Sequence, residues 1–330
     1  IGNCRNDTGF LQMESKIVLT QIAILAVVVI IGAIAAKAGV FNRESKDVIS
    51  KVIFNISLPL MLFTNFFRLE ASPKLISNSL TVLAVAVLVI LLLLVIGTLS
   101  ARVFKLKDAE SAVFRTHSMF GNTIFLGFPL VTALFGVEGL LYASMYQLVS
   151  TILMWTVGVV ILSHGNGISW KKSIVKVINP NTIATLLGLL FFMLSVKLPS
   201  VLLKPMTDLG AANTWLSMLY IGAMLYFSNV GGLLRRKSLY LISLNRLVVA
   251  PALLIALFYI AGHYAGFTPD RLVSSVIILE ASMPCMATVV IMAKELGSDD
   301  SLAVGNVFVS TIFSILTLPL VVMALTAFLQ

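Results

Sequence analysis

Two short segments carry most of the polar side chains that interrupt otherwise apolar runs. The first is Gly121-Asn122-Thr123-Ile124-Phe125-Leu126-Gly127-Phe128-Pro129, and the second is Glu280-Ala281-Ser282-Met283-Pro284-Cys285. Each places a proline beside amide, hydroxyl or carboxyl groups. Proline removes a backbone donor and its ring clashes with the preceding turn. Both helices are therefore expected to unwind, near Gly127–Pro129 and near Met283–Pro284. Backbone groups freed inside lipid are tolerated only where protein or a water-filled cavity satisfies them. The amide end of a half-helix carries partial positive charge and suits an anion. Candidate solute contacts are Asn122, Thr123, Gly127, Pro129, Ser282, Pro284 and Gln147. Either proline alone reads equally well as a packing kink; the pairing of the two interruptions favours a site.

Glu280 is the one acidic residue placed inside an apolar span. A charge there costs roughly 2.5 to 3.5 kcal/mol on insertion scales. Three roles fit: carrying a coupling proton, helping to bind a cation, or forming a structural ion pair with Arg246. Arg246, five residues before Pro251, is expected to snorkel to the nearer face, and His117 to sit at an interface. Asn55, Asn65, Gln147 and Asn306 are single amides in apolar helices, where most amides bond between helices.

Other chemistry has little to stand on. The two cysteines, Cys4 and Cys285, fall in a polar tail and an apolar run, which suits neither a disulfide nor a thiolate metal site. The three histidines show no metal-ligand spacing, and no phosphate-cradling glycine loop or nucleophile motif occurs. No cofactor, metal or enzymatic activity is expected, and no basic–aromatic tract points to nucleic acid.

The elements that must position these residues follow from composition. Apolar residues make up 59% and charged residues 11% of the 330, with a mean hydropathy of +1.03. Soluble chains carry about 25% charged residues, so the surrounding solvent is lipid. At about 20 residues per bilayer crossing, ten spans are expected: Ile17–Ala38, Val48–Phe67, Leu75–Phe104, Val113–Phe135, Leu140–Ser163, Thr182–Val196, Trp215–Leu234, Leu239–His263, Leu272–Ala293 and Leu302–Leu329. Loops on one side hold fifteen lysines and arginines, those on the other seven. The positive-inside rule then puts both termini outside the cytoplasm. Residues 1–16 read as a polar leader, extended or artificially appended, without the order of a signal peptide.

The polar stretch 164–181 reads as a cytoplasmic linker between two five-helix halves, 17–163 and 182–330. An odd number of spans per half inserts the second half upside down. Val149-Ser150-Thr151-Ile152 recurs as Val309-Ser310-Thr311-Ile312 at the matching place. Interruptions at corresponding places in inverted repeats are the sequence mark of a secondary transporter site.

The residues then resemble the auxin efflux carrier family, which includes the plant PIN-FORMED carriers and bacterial malate or malonate permeases. The resemblance rests on Ser57-Leu58-Pro59-Leu60, Gly121-Asn122-Thr123 through Pro129, Arg246 with Pro251-Ala252-Leu253, Pro284 followed by Ala293-Lys294-Glu295, and Leu318-Pro319-Leu320. It implies an all-α fold with a scaffold of spans one, two, six and seven, and a transport domain of the other six. It implies elevator movement, a homodimer, and broken spans four and nine crossing at the substrate site, with Asn122 and the backbone beside Pro129 and Pro284 as contacts. The short linker is that of the prokaryotic type. Glu280 stands where plant relatives tend to have glutamine. The expected function is multi-pass membrane transport of a small organic anion, a mono- or dicarboxylate, with or without proton or sodium coupling. A sodium-coupled symporter of the bile-acid type, or a non-transporting sensor on such a scaffold, stands as the alternative.

Overall fold

The computed structural model describes residues 20, 23–69, 72–106, 108–163, 174–194, 196–227, 231–266 and 269–328. The polar leader and residues 164–173 of the linker lie outside the described residues. Among the described residues every named element is helical, and the single β-type contact is an isolated bridge between Gly121 and Cys285.

In chain order the helices are α1 (Ala23–Lys37), α2 (Arg43–Val52), α3 (Leu58–Asn65), α4 (Pro73–Val103), α5 (Asp108–Met119), α6 (Phe128–Leu153) and α7 (Val159–Leu162). There follow α8 (Pro180–Met193), α9 (Ser200–Phe227), α10 (Lys237–Leu244), α11 (Ala250–Ala265), α12 (Arg271–Ala281), α13 (Thr288–Glu295) and α14 (Asp300–Phe328). Five stretches are long and apolar enough to cross a bilayer: Glu44–Arg68, Pro73–Val103, Thr123–Leu162, Lys237–Tyr264 and Asp300–Leu325. Ala23–Lys37 and Pro180–Met193 are shorter apolar helices. The protein is thus an all-helical, polytopic membrane protein.

Four π turns join these pieces, and three stand directly before a proline in the first turn of the next helix. Ile53–Ser57 precedes Pro59, Thr123–Gly127 precedes Pro129, and Asn245–Val249 precedes Pro251. In each, the first carbonyl of the turn accepts from the N–H five residues on. A normal turn would push the proline ring against the carbonyl four residues back; a turn wider by one residue relieves that clash.

Boundaries differ from the hydropathy reading at two places. The seventh span is expected from Trp215, yet α9 begins at Ser200. Its polar first turns carry an exposed ion pair one turn apart, Lys204 with Asp208 at 3.0 Å. Spans four and five are expected to be separated by residues 136–139. The helical run instead continues through them, turning only at Gly136, where φ is 65° and ψ is −147°. Glycine alone adopts such a conformation without strain.

Packing sorts the helices into two groups. In one, α3 packs on α8 and α9, and α2 on α9. Here α1 meets α9 backbone to backbone, because a Cβ at Gly222 would collide with the Val29 carbonyl. The Ser57 hydroxyl donates to Asn213 Oδ1 at 3.2 Å within this group. In the other, α4 packs on α5, α6 and α12, while α14 packs on α10, α13 and α5. Fewer contacts join the groups, chiefly the Thr123–Gly127 turn against α9 and α3 against α6. One is a hydrogen bond from Asn65 Nδ2 to the Val137 carbonyl, at 3.1 Å.

Candidate functional site

Helix α5 stops at Met119, and Phe120–Asn122 leave the helix before the π turn begins at Thr123. Helix α12 stops at Ala281, and α13 starts only at Thr288. The two gaps lie against each other. Asn122 N donates to Pro284 O at 2.7 Å and Met286 N to Phe120 O at 3.3 Å, framing the antiparallel bridge of Gly121 with Cys285. Each interruption thereby satisfies backbone groups that the other leaves open, which is what a break buried in protein requires.

The second interruption falls at the expected Met283–Pro284. The first does not fall at Gly127–Pro129. Gly127 closes the π turn and Pro129 is the second residue of α6, so the chain stays helical through both. The break lies several residues earlier, at Phe120–Asn122.

Asn122 is 2% exposed; its Oδ1 accepts from Phe125 N at 3.4 Å, and its Nδ2 has no partner. The Thr123 hydroxyl donates to Gln147 Oε1, and Gln147 Nε2 donates to Thr151 Oγ1 at 3.0 Å. The Ser282 hydroxyl is spent on the Ile278 carbonyl at 2.6 Å, closing the end of α12. Glu280 is fully buried, and neither carboxylate oxygen has a hydrogen-bond partner. A Cβ at Gly127 would lie 2.5 Å from Glu280 Oε2, so the glycine is what lets the carboxylate pack against the π turn that follows the first break.

Arg246 does not snorkel. At 1% exposure it is the largest fully buried side chain among the described residues. Nε donates to Met283 O at 2.6 Å, and Nη1 donates to Ser118 O at 2.7 Å and His117 O at 3.3 Å. An ion pair with Glu280, one of the three roles left open by the sequence, is not formed, because the guanidinium is turned onto the carbonyls of both breaks. Nη2 has no partner and would collide with a Cβ at Gly121. His117 is not interfacial either: it is fully buried, with Nε2 3.3 Å from Met286 O and Nδ1 3.0 Å from Asn306 Nδ2. Ser310 Oγ accepts from Cys285 N at 3.0 Å. Sequence reading missed Ser310 and misplaced His117. Their partners lie far along the chain, and only the basic side chain of Arg246 in an apolar run gave any signal.

A cavity of about 210 Å³ lies beside the bridge, between the two packing groups. Ile124 and Thr288, at the amide ends of the two half-helices, both line it, with Gln147, Thr151, Asn55 and Asn181. None of its lining residues carries a charge. Pro129 lines a second cavity of about 260 Å³ with Asn65, Arg68 and Thr132.

Comparison with known proteins bears on what these features serve. The family model described as membrane transport protein matches residues 17–171 and, again, 166–322. The chain belongs to this family. The two matches fall one on each half of the chain, and the resemblance to auxin efflux carriers holds. An uncharacterised transporter of Methanothermobacter thermautotrophicus is 29% identical over 303 residues, covering 89% of this chain and 94% of the relative. One of Methanocaldococcus jannaschii is 25% identical over 320 residues, covering 91% and 96%.

Proposed function

We propose that this transporter carries a small organic anion, a mono- or dicarboxylate, through a site where the fourth and ninth of ten spans cross. The observation that carries the reading is the mutual pairing of the two helix breaks beside a largely apolar cavity. A few amides and hydroxyls stand in its wall, among them Asn55, Gln147, Thr151 and Asn181, with Ile124 and Thr288 from the starts of the two half-helices. Neutral donors and positive helix ends suit a carboxylate without the desolvation cost of a buried charge pair. Asn122 holds a free amide donor in the first break, outside the residues that line the cavity, while Gln147 lines the cavity and accepts from Thr123.

Ten spans result when the helical run is divided at Gly136 and α12 with α13 counts as one broken span. Two inverted repeats then fit the double family match, with both termini non-cytoplasmic. The group of α1, α2, α3, α8 and α9 serves as scaffold and the other as an elevator carrying the crossover. A homodimer through the scaffold fits the family resemblance.

Glu280 supplies coupling in this reading. A carboxyl group with two free oxygens can take up a proton in one transport state and release it in another. With Glu280 protonated, the charge of Arg246 is unbalanced and favours an anion. Importing a dianion against 100 mV, inside negative, costs about 4.6 kcal/mol, so a co-transported proton matters for import. Sodium is the second reading, since the same free oxygens suit a cation.

The test is purified protein in liposomes, offered labelled mono- and dicarboxylates with no gradient, a proton gradient or a sodium gradient. Saturable uptake of a carboxylate is expected, enhanced by the proton gradient. No flux of any carboxylate, with a neutral or cationic solute carried instead, overturns the proposal.

A further inference from the structure

We infer that Arg246 makes the crossover selective for anions, by occupying the carbonyl ends of the broken helices and leaving only their amide ends open to a solute. The inference deepens the anion-transport reading and rests on it for its substrate arm. A break exposes two kinds of helix end. The carbonyl ends, of α5 and α12, carry partial negative charge; the amide ends, at the Thr123 turn and at α13, carry partial positive charge. Left alone the two cancel, and a crossover has no preference for either sign.

Arg246 removes one side of that balance. Its three hydrogen bonds go to carbonyls: Ser118 and His117 at the end of α5, and Met283 just beyond α12. Among the described residues no carboxylate lies within ion-pair distance of it. The guanidinium, which stays protonated in proteins, is therefore solvated by backbone. The absence of a side chain at Gly121 gives it room, since a Cβ there would collide with Nη2. Meanwhile Ile124 and Thr288 bring both amide ends to the uncharged cavity. Because one side chain bonds both interruptions, Arg246 is also a positioning residue: it fixes the distance between the two breaks.

Native Cys285 reports on that positioning. It sits in the second break, fully buried, bridged to Gly121. In a Cys4→Ser background, maleimide is expected to leave Cys285 of the detergent-solubilised parent unlabelled. Arg246→Gln is expected to raise its labelling rate by about tenfold or more, the loss of charge-assisted hydrogen bonds. A rate equal to the parent's overturns the positioning role.

Selectivity is read in liposomes with the carboxylate that the parent takes up best and with its primary amide. Arg246→Gln is expected to raise KM for the acid by about tenfold or more and to leave KM for the amide within about twofold. Equal losses for acid and amide mark a merely structural residue and overturn the inference. Arg246→Lys keeps the charge but not the fork of donors. It should keep the preference for acid over amide while Cys285 labelling rises, which also covers the case in which Arg246→Gln fails to fold. Loss of the acid preference in Arg246→Lys overturns the electrostatic role. The labelling arm needs no substrate, so a parent that moves no carboxylate counts against the transport reading alone.

Discussion

Glu280 is worth keeping in an apolar helix only if something offsets its burial, and among the described residues no hydrogen bond does so. Glu280→Gln keeps the shape and removes the titration. The variant is expected to bind and exchange substrate but to lose pH-driven accumulation; accumulation with the parent's pH dependence would refute proton coupling. Asn122→Ala removes a free donor and the cap on Phe125 N. Substrate affinity should fall by ~1–3 kcal/mol with expression intact, measured by binding to purified protein. Gly127→Ala puts a methyl 2.5 Å from Glu280 Oε2. It should displace the carboxylate and lower the melting temperature, and Gly127→Ala with Glu280→Ala should recover part of that loss. Asn122, Pro284 and Glu280 were legible in the sequence because each is the wrong residue type for its apolar surroundings. The carbonyl contacts of Arg246 were not, since a guanidinium can bond any backbone and the sequence does not say which backbone is broken nearby.

At the scale of elements, prolines announced that something happens in a helix but not where. Pro59, Pro129 and Pro251 each sit in a first turn made tolerable by a preceding π turn, while the break near Pro129 lies upstream at Phe120–Asn122. Hydropathy placed four of the five long apolar stretches, divided the fifth where the helical run continues through Gly136, and missed the start of α9, whose Lys204–Asp208 pair reads as loop to a composition window. One tie between elements depends on pH. Lys74 and Asp270, 2.7 Å apart, join the first turn of α4 to the N-cap of α12. The Lys74 hydrogen bond holds the Asp270 carboxyl below its ordinary value of 3.8. A group so depressed contributes its full stability above 3.8 and loses it as pH falls below 3.8 and through its lower folded-state value. Acidification to about pH 3 should therefore lower the melting temperature in detergent more in the parent than in Asp270→Asn. An equal fall in both would remove this tie from the account.

For the whole molecule, movement of one packing group past the other requires the contacts between them to break. The bond from Asn65 to Val137 crosses that boundary, whereas Ser57 to Asn213 lies within one group. A disulfide between Asn65→Cys and Val137→Cys should abolish transport until reduced, and one between Ser57→Cys and Asn213→Cys should spare it. Transport unaffected by the first cross-link would exclude an elevator. Topology has its own check: single cysteines at both chain ends should react with an impermeant reagent from outside intact cells, and labelling only after permeabilisation would reverse the orientation. The contact between breaks has one more consequence. Exchanging Gly121 with Cys285 carries Asn122 onto Met286 and Phe120 onto Pro284, so each of the two hydrogen bonds maps onto the other. Under the inverted-repeat reading the bridge marks a local dyad, and the unequal lengths of 2.7 Å and 3.3 Å measure how far the molecule departs from it. If the opposite-facing state arises by the halves trading conformations, the short and long bonds should trade places there.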